Sequence, residues 1–221
     1  MANSQQLSLN NKNAKVWTNW HDNTERDFKS CIGAVFAAVQ DKYPDHVFTH
    51  TGKVDNQLVL EQFKAYSPSH RAELNGSRGG GSNPDGGVIS IQTKNMTKMP
   101  VFIGENKHQE DNPGNAIERS LKNISFFKNL LISENYFPYL LNINGPIVNE
   151  RKGSLFDRIT QDGGFMPVNQ VFVCNDPERP RLRPFTVVLD QQFQFNKVFD
   201  MSMNIVDQSI QYLISTDRLC L

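Results

Sequence analysis

From Asn83 to Asn123 the chain reads NPDGGVISIQTKNMTKMPVFIGENKHQEDNPGNAIERSLKN. Asp85 stands just before one apolar run, and Glu105 and Lys107 close a second. Residues two apart in a strand project to the same face, so Glu105 and Lys107 would point together. Two carboxylates make a hard-oxygen cradle for Mg²⁺, and an ammonium beside them can polarise or deprotonate a water. That is the equipment of metal-assisted phosphodiester hydrolysis. The same D…ExK spacing also arises from ordinary charges on a surface hairpin, so spacing alone leaves both readings open.

Other chemistry-bearing residues are less organised. His46 and His50 are four apart but follow Pro44 and have no evident third ligand, so they read as solvated. His108 falls on the strand face opposite Lys107, as a supporting or DNA-proximal group. No Ser/His/Asp or Cys/His set for acyl transfer is visible. The Gly/Ser-rich stretch from Ser69 to Gly87, ending GSRGGGSNPDGG, lacks the GK[ST] ending of a phosphate-cradling loop and reads as a flexible lead into Asp85. Arg179, Arg181 and Arg183, in PERPRLRPF, are either a clamp on a phosphate backbone or a solvated Pro-rich loop.

The 221 residues suit a single domain at 21–221, with 1–20 as a flexible polar N-terminal arm. With 23 basic and 23 acidic residues the net charge is zero, which argues against a bulk nucleic-acid coater. A protein that reads a short sequence through base contacts tolerates that balance. No apolar run approaches the ~18 residues of a membrane span, no secretory h-region opens the chain, and no membrane partner is expected. Cys31, Cys174 and Cys220 form no CxxC pair, which fits a reducing, cytoplasmic setting.

The elements that must position these residues follow from periodicity. Phe28, Ile32, Val35, Phe36 and Val39 recur at helical spacing over 24–40, and residues 46–51 suit a short strand. DNQLVLEQFKAY, 55–66, predicts a second helix. Val88–Gln92 and Val101–Lys107 are predicted strands around a seven-to-eight-residue connection containing Pro100. Asn115–Glu134 reads as a helix, and Tyr139–Ile143, Gln170–Cys174 and Phe185–Leu189 as strands. Phe199–Ser215 closes as an amphipathic helix. This alternation implies an α/β fold with a central mixed β-sheet flanked by helices.

PDGG, GENKHQ, GNAIERSLKNIS and SENYFPYLL, in that order, closely resemble blocks of type II restriction endonucleases of the PD…(D/E)xK nuclease superfamily. The similarity continues more thinly through DRITQDGGFMPVN (157–169) and FDMS (199–202), so it covers most of the chain from about residue 25. GNAIERS is far more specific than the D…ExK triad, and both stand in register.

The resemblance implies a restriction-endonuclease-like fold, and a homodimer that cuts double-stranded DNA at a palindrome with magnesium, leaving 5′-phosphate ends. It implies a cognate DNA methyltransferase that protects the host genome. Asp85, Glu105 and the backbone carbonyl of Asn106 would hold Mg²⁺, and Lys107 would orient or activate the attacking water. Glu61 falls where such enzymes place an acidic helix residue near the metal; it also reads as a solvated helix glutamate. Asn115, Ala116 and Arg119 would read a central AATT, with Glu118 fixing them across the dimer. Asn amides suit the adenine edge and Ala116 a thymine methyl. Gln109 and Arg158 match further DNA-binding positions. Leu155 stands where the family has a second arginine, and Asn112 and Pro113 replace small apolar residues, so the outer base pair stays open. Two alternatives remain: a structure-specific repair or recombination nuclease, and a catalytically silent sequence-specific DNA-binding protein. Intact Asp85, Glu105 and Lys107 weigh against the second.

Overall fold

The computed structural model describes residues 24–52, 83–108, 123, 127, 131, 134, 136–144, 167–168, 171–174, 185–190 and 193–220. The expected arm at 1–20, the helix at 55–66 and most of the helix at 115–134 lie outside the described residues.

Helix α1 spans 24–42, two residues beyond the expected end. Phe28, Cys31, Ile32, Val35 and Val39 are fully buried along one stripe, while Phe36 packs at its margin. Opposite that stripe, Lys29 pairs with Glu25 one turn earlier. The buried side faces a seven-stranded sheet with strands β1 (Phe48–Thr51), β2 (Gly87–Gln92), β3 (Lys98–His108), β4 (Tyr139–Asn144), β5 (Pro167–Val168), β6 (Val171–Cys174) and β7 (Phe185–Asp190). Their order is β1-β2-β3-β4-β7-β6-β5. β3, β4 and β7 run parallel at the centre, and antiparallel strands extend the sheet on both sides. The expected mixed sheet is therefore present, with β5 as a strand that periodicity did not indicate.

The β2–β3 connection departs from expectation. β3 begins at Lys98, so Pro100 lies inside the strand and the connection shrinks to 93–97. Thr93 donates its backbone N–H to the Thr97 carbonyl at 2.8 Å, and Met96 takes a positive φ of 62° in the turn. Proline has no N–H for a ladder and is tolerated in strands at bulges or edges. Here the register jumps from Ile89↔Phe102 to Ser90↔Pro100, leaving Val101 as the extra residue. β4 joins β3 only from Ile103 onward, so the Pro100 carbonyl is instead taken by the buried Tyr136 hydroxyl, at 2.7 Å.

Helix α2 spans Phe195–Ser215, starting four residues before the expected Phe199. Val198, Ser202, Ile205, Val206, Ser209, Ile210 and Leu213 form its buried face. Two serines in that face donate to carbonyls one turn back, Ser202 to Val198 at 2.6 Å and Ser209 to Ile205 at 2.7 Å, so neither brings an unmet polar group into the core. The helix ends where Asp217 takes φ 60° and the Arg218 N–H returns to the Leu213 carbonyl at 2.8 Å. Side chains of α1, β1–β4 and α2 share one apolar core. Among the described residues, no helix is long and apolar enough to cross a membrane.

Candidate hydrolytic site

Alternation along β3 places Glu105 and Lys107 on one face and Asn106 on the other. Asp85 reaches the same place from the turn that enters β2. Gly87 donates to the Pro84 carbonyl at 2.9 Å, and Gly86 donates to the Gly104 carbonyl of β3 at 2.8 Å. Both glycines are required by the space available. Gly87 has φ +76°, and a Cβ there would lie 2.5 Å from the Thr51 carbonyl oxygen. At Gly86 a Cβ would lie 2.7 Å from the Phe28 ring. His50 completes the clamp from β1, its Nε2–H donating to the Gly86 carbonyl at 2.9 Å. His46 is held likewise, 3.1 Å from the Cys220 carbonyl. Each of the two histidines thus has a backbone partner of its own while His50 stays exposed and His46 partly so, in line with the solvated reading, and the two are not turned to a common metal.

Lys107 Nζ is the focus of the site. It lies against Glu105 Oε1, 3.1 Å from Asp85 Oδ2 and 3.3 Å from the Asn106 carbonyl oxygen. The Asp85 N–H points to Glu105 Oε2 at 3.3 Å, and the Asn106 N–H points to Asp85 Oδ2 at 3.2 Å. These three oxygen groups are the ones that the sequence nominated for a metal. They already converge on one positive charge, and two carboxylates with a backbone carbonyl are the hard donors that suit Mg²⁺. Among the described residues, no group of three or more His, Cys, Asp or Glu side chains is placed to hold a metal, and this site supplies two carboxylates.

Glu105 is only 1% exposed, and burial pushes its carboxyl above the ordinary range. The Lys107 ammonium opposes that shift and the Asp85 charge adds to it. For Lys107, burial works against the charge, but Glu105 and Asp85 outweigh it and hold the ammonium above its ordinary value. Both shifts run upward: the rise disfavours the charged form of Glu105, which burial dominates, and favours the charged form of Lys107, which two carboxylates share. The floor below is apolar and aromatic. The Tyr139 ring stacks on Phe137 at 5.4 Å and meets Phe127 at 5.5 Å, and burial raises its phenol well above the usual range, with the Glu105 and Asp85 charges adding to the effect. On the other face of β3, Asn142 donates to Asn106 Oδ1 at 2.6 Å and fixes that residue across the β3–β4 ladder.

Asp85, Glu105, Asn106 and Lys107 are thus brought together. Glu61, Gln109, Asn115, Ala116, Glu118, Arg119, Arg158 and the Arg179–Arg183 cluster lie outside the described residues. One contributor was missed: Asn123, inside the quoted GNAIERSLKNIS block, donates its Nδ2–H to Glu105 Oε1 at 2.7 Å. Its signal was a carboxamide four positions after Arg119, the spacing of one turn in the helix that the sequence predicts there.

A mixed sheet flanked by helices, with the D…ExK side chains gathered where β3 meets the turn that enters β2, is the architecture of the restriction-endonuclease-like class. Comparison with characterised proteins agrees. The chain is 29% identical over 128 residues to the type II restriction enzyme EcoRI of Escherichia coli, covering 49% of this chain and 46% of that protein. It is 22% identical over 137 residues to the type II restriction enzyme RsrI of Cereibacter sphaeroides, covering 53% and 49%. The chain spans about half the length of the curated relatives it matches. No protein-family model matches it.

Proposed function

We propose that this chain is a type II site-specific deoxyribonuclease. It hydrolyses phosphodiester bonds of double-stranded DNA at a short palindrome containing AATT and leaves 5′-phosphate ends. The observation that carries the reading is the convergence of Glu105, Asp85 and the Asn106 carbonyl around Lys107 Nζ. Similarity to EcoRI and RsrI supports the substrate class.

Asp85, Glu105 and the Asn106 carbonyl are the residues that would hold Mg²⁺, which supplies Lewis-acid polarisation of the scissile phosphate. Lys107 stands within reach of both carboxylates and of any water seated there; its ammonium orients that water and offsets the charge growing on the phosphoryl oxygens. Asp85, on a turn fixed by Gly86, Gly87 and His50, arrives preorganised. Glu61 is a fourth acidic contributor in this reading. Asn115, Ala116, Glu118 and Arg119 read the central bases, with Gln109 and Arg158 nearby on the DNA. Residues 21–221 form one catalytic and recognition domain. A palindrome requires two symmetric readers, hence a homodimer, and a methyltransferase of the same specificity protects host DNA.

Incubation with plasmid and Mg²⁺, followed by sequencing of the fragment ends, tests the reading. Discrete fragments with 5′-phosphate ends at one palindrome are expected. Generalised or structure-dependent nicking, or no cleavage, refutes it.

A further inference from the structure

Asn123 lies outside the D…ExK constellation, yet its side chain enters it. Its 2.7 Å contact with Glu105 Oε1 is closer than the 3.1 and 3.2 Å contacts made to Asp85 Oδ2. Lys107 approaches the same Oε1, while Oε2 faces the Asp85 N–H. A carboxylate oxygen has two lone pairs, so Oε1 serves both donors at once. Together the three contacts fix the plane of the carboxylate and leave it little freedom to turn.

Asn123 is a different kind of donor from Lys107. A carboxamide is neutral at every pH and does not compete electrostatically with a cation for the carboxylates. Lys107 does compete, because its charge occupies the focus of the same oxygens. Asn123 can therefore keep its grip on Glu105 through a catalytic cycle in which the ammonium must adjust. Its own position is anchored from below: Asn123 and Phe127 are both helical, and Phe127 is fully buried against Tyr139 at 5.5 Å.

We propose that Asn123 is a positioning residue for the metal-binding carboxylate, its carboxamide holding Glu105 in the orientation that ligates the metal. The proposal rests on the nuclease reading above. In it, loss of the carboxamide frees the Glu105 carboxylate to turn and weakens metal loading while leaving DNA binding in place.

The test uses the full chain on a duplex carrying the palindrome mapped from plasmid ends. Asn123→Ala removes the donor, Asn123→Leu removes it while filling the space, and Asn123→Ser restores a shorter donor. Ca²⁺ binding to the protein–duplex complex is followed by calorimetry, and single-turnover cleavage is followed against Mg²⁺ concentration. Asn123→Ala is expected to weaken Ca²⁺ binding and raise the half-saturating Mg²⁺ by about tenfold or more, the usual effect of losing a group that orients a metal ligand. Duplex affinity in EDTA should change less than about twofold, and Asn123→Ser should recover part of the loss. If Asn123→Ala does not fold, as judged by thermal melting, Asn123→Leu decides. Wild-type Ca²⁺ affinity and Mg²⁺ midpoint in the folded donor-less variant would overturn the proposal, as would a loss confined to duplex affinity in EDTA. A wild-type protein that cleaves nothing would instead overturn the nuclease reading itself.

Discussion

Gly87→Ala tests how the Asp85 turn is built. The residue sits at φ +76°, where an L side chain costs about 1–2 kcal/mol. The new methyl would also lie 2.5 Å from the Thr51 carbonyl oxygen and 2.8 Å from His50 Nε2. Ordinary contact needs about 3.5 Å, so β1 must retreat by about 1 Å. β1 is at the end of the sheet and can move, at the ~1–3 kcal/mol typical of overpacking. Reduced freedom of the unfolded chain returns about 0.4–1 kcal/mol. The net loss is about 2–4 kcal/mol, or a fall of about 1–2 M in urea midpoint for a slope near 2 kcal/mol/M. A domain of ordinary stability still folds after such a loss. Retreat of β1 breaks the His50–Gly86 bond, so plasmid cleavage should fall by more than the unfolded fraction explains. Gly33→Ala is the control: nothing lies within 4 Å of its would-be Cβ, in the middle of α1, and it should stabilise by about 0.5–1 kcal/mol. A Gly87→Ala protein with the wild-type urea midpoint would refute the reasoning.

Three further outcomes are expected. Glu105→Gln and Asp85→Asn each replace a charged ligand by a neutral isostere; losing several kcal/mol of metal-assisted stabilisation means a drop of about a thousandfold or more in cleavage, checked by single-turnover assay with folding verified by circular dichroism. Tyr136→Phe strips the donor from the buried Pro100 carbonyl and should cost about 1–3 kcal/mol in urea unfolding with cleavage unchanged, since the contact is remote in the strand from Glu105. The Lys107 ammonium is held above its ordinary value of 10.5, so its contribution to stability is fully present below that pH and is lost as pH rises through the higher folded-state value. The difference in urea midpoint between wild type and Lys107→Met should therefore hold steady from neutral pH up to about 10 and shrink beyond 10.5; a difference that grew there would contradict the assignment.

The convergence of Glu105 and Lys107 was readable because it is local. Glu105 and Lys107 differ by two positions on one strand, and a period of two is visible in any apolar run. What could not be read depends on partners distant in sequence. His50 finds the Gly86 carbonyl 36 residues away, and no periodicity encodes a backbone acceptor. Asn123 was hidden for the same reason, its partner lying 18 residues back on another element. Pro100 misled the strand boundary because its missing N–H signals a break, whereas here the Val101 bulge and the Tyr136 hydroxyl absorb it. The early start of α2 was missed because Phe195 is 42% exposed, so the apolar stripe begins only at Val198.

The bulge at Val101 bears on when the candidate site can assemble. A strand that slips by one residue turns every side chain to the opposite face. Slipped β2–β3 pairing would send Glu105 and Lys107 away from Asp85, and the proline and the extra residue make the alternative alignments poor matches. A nascent chain at the ribosome therefore carries its acids and its lysine scattered, and they meet only when the hairpin closes in its one alignment. Under the nuclease reading proposed above, folding then acts as a safety catch, released last and all at once.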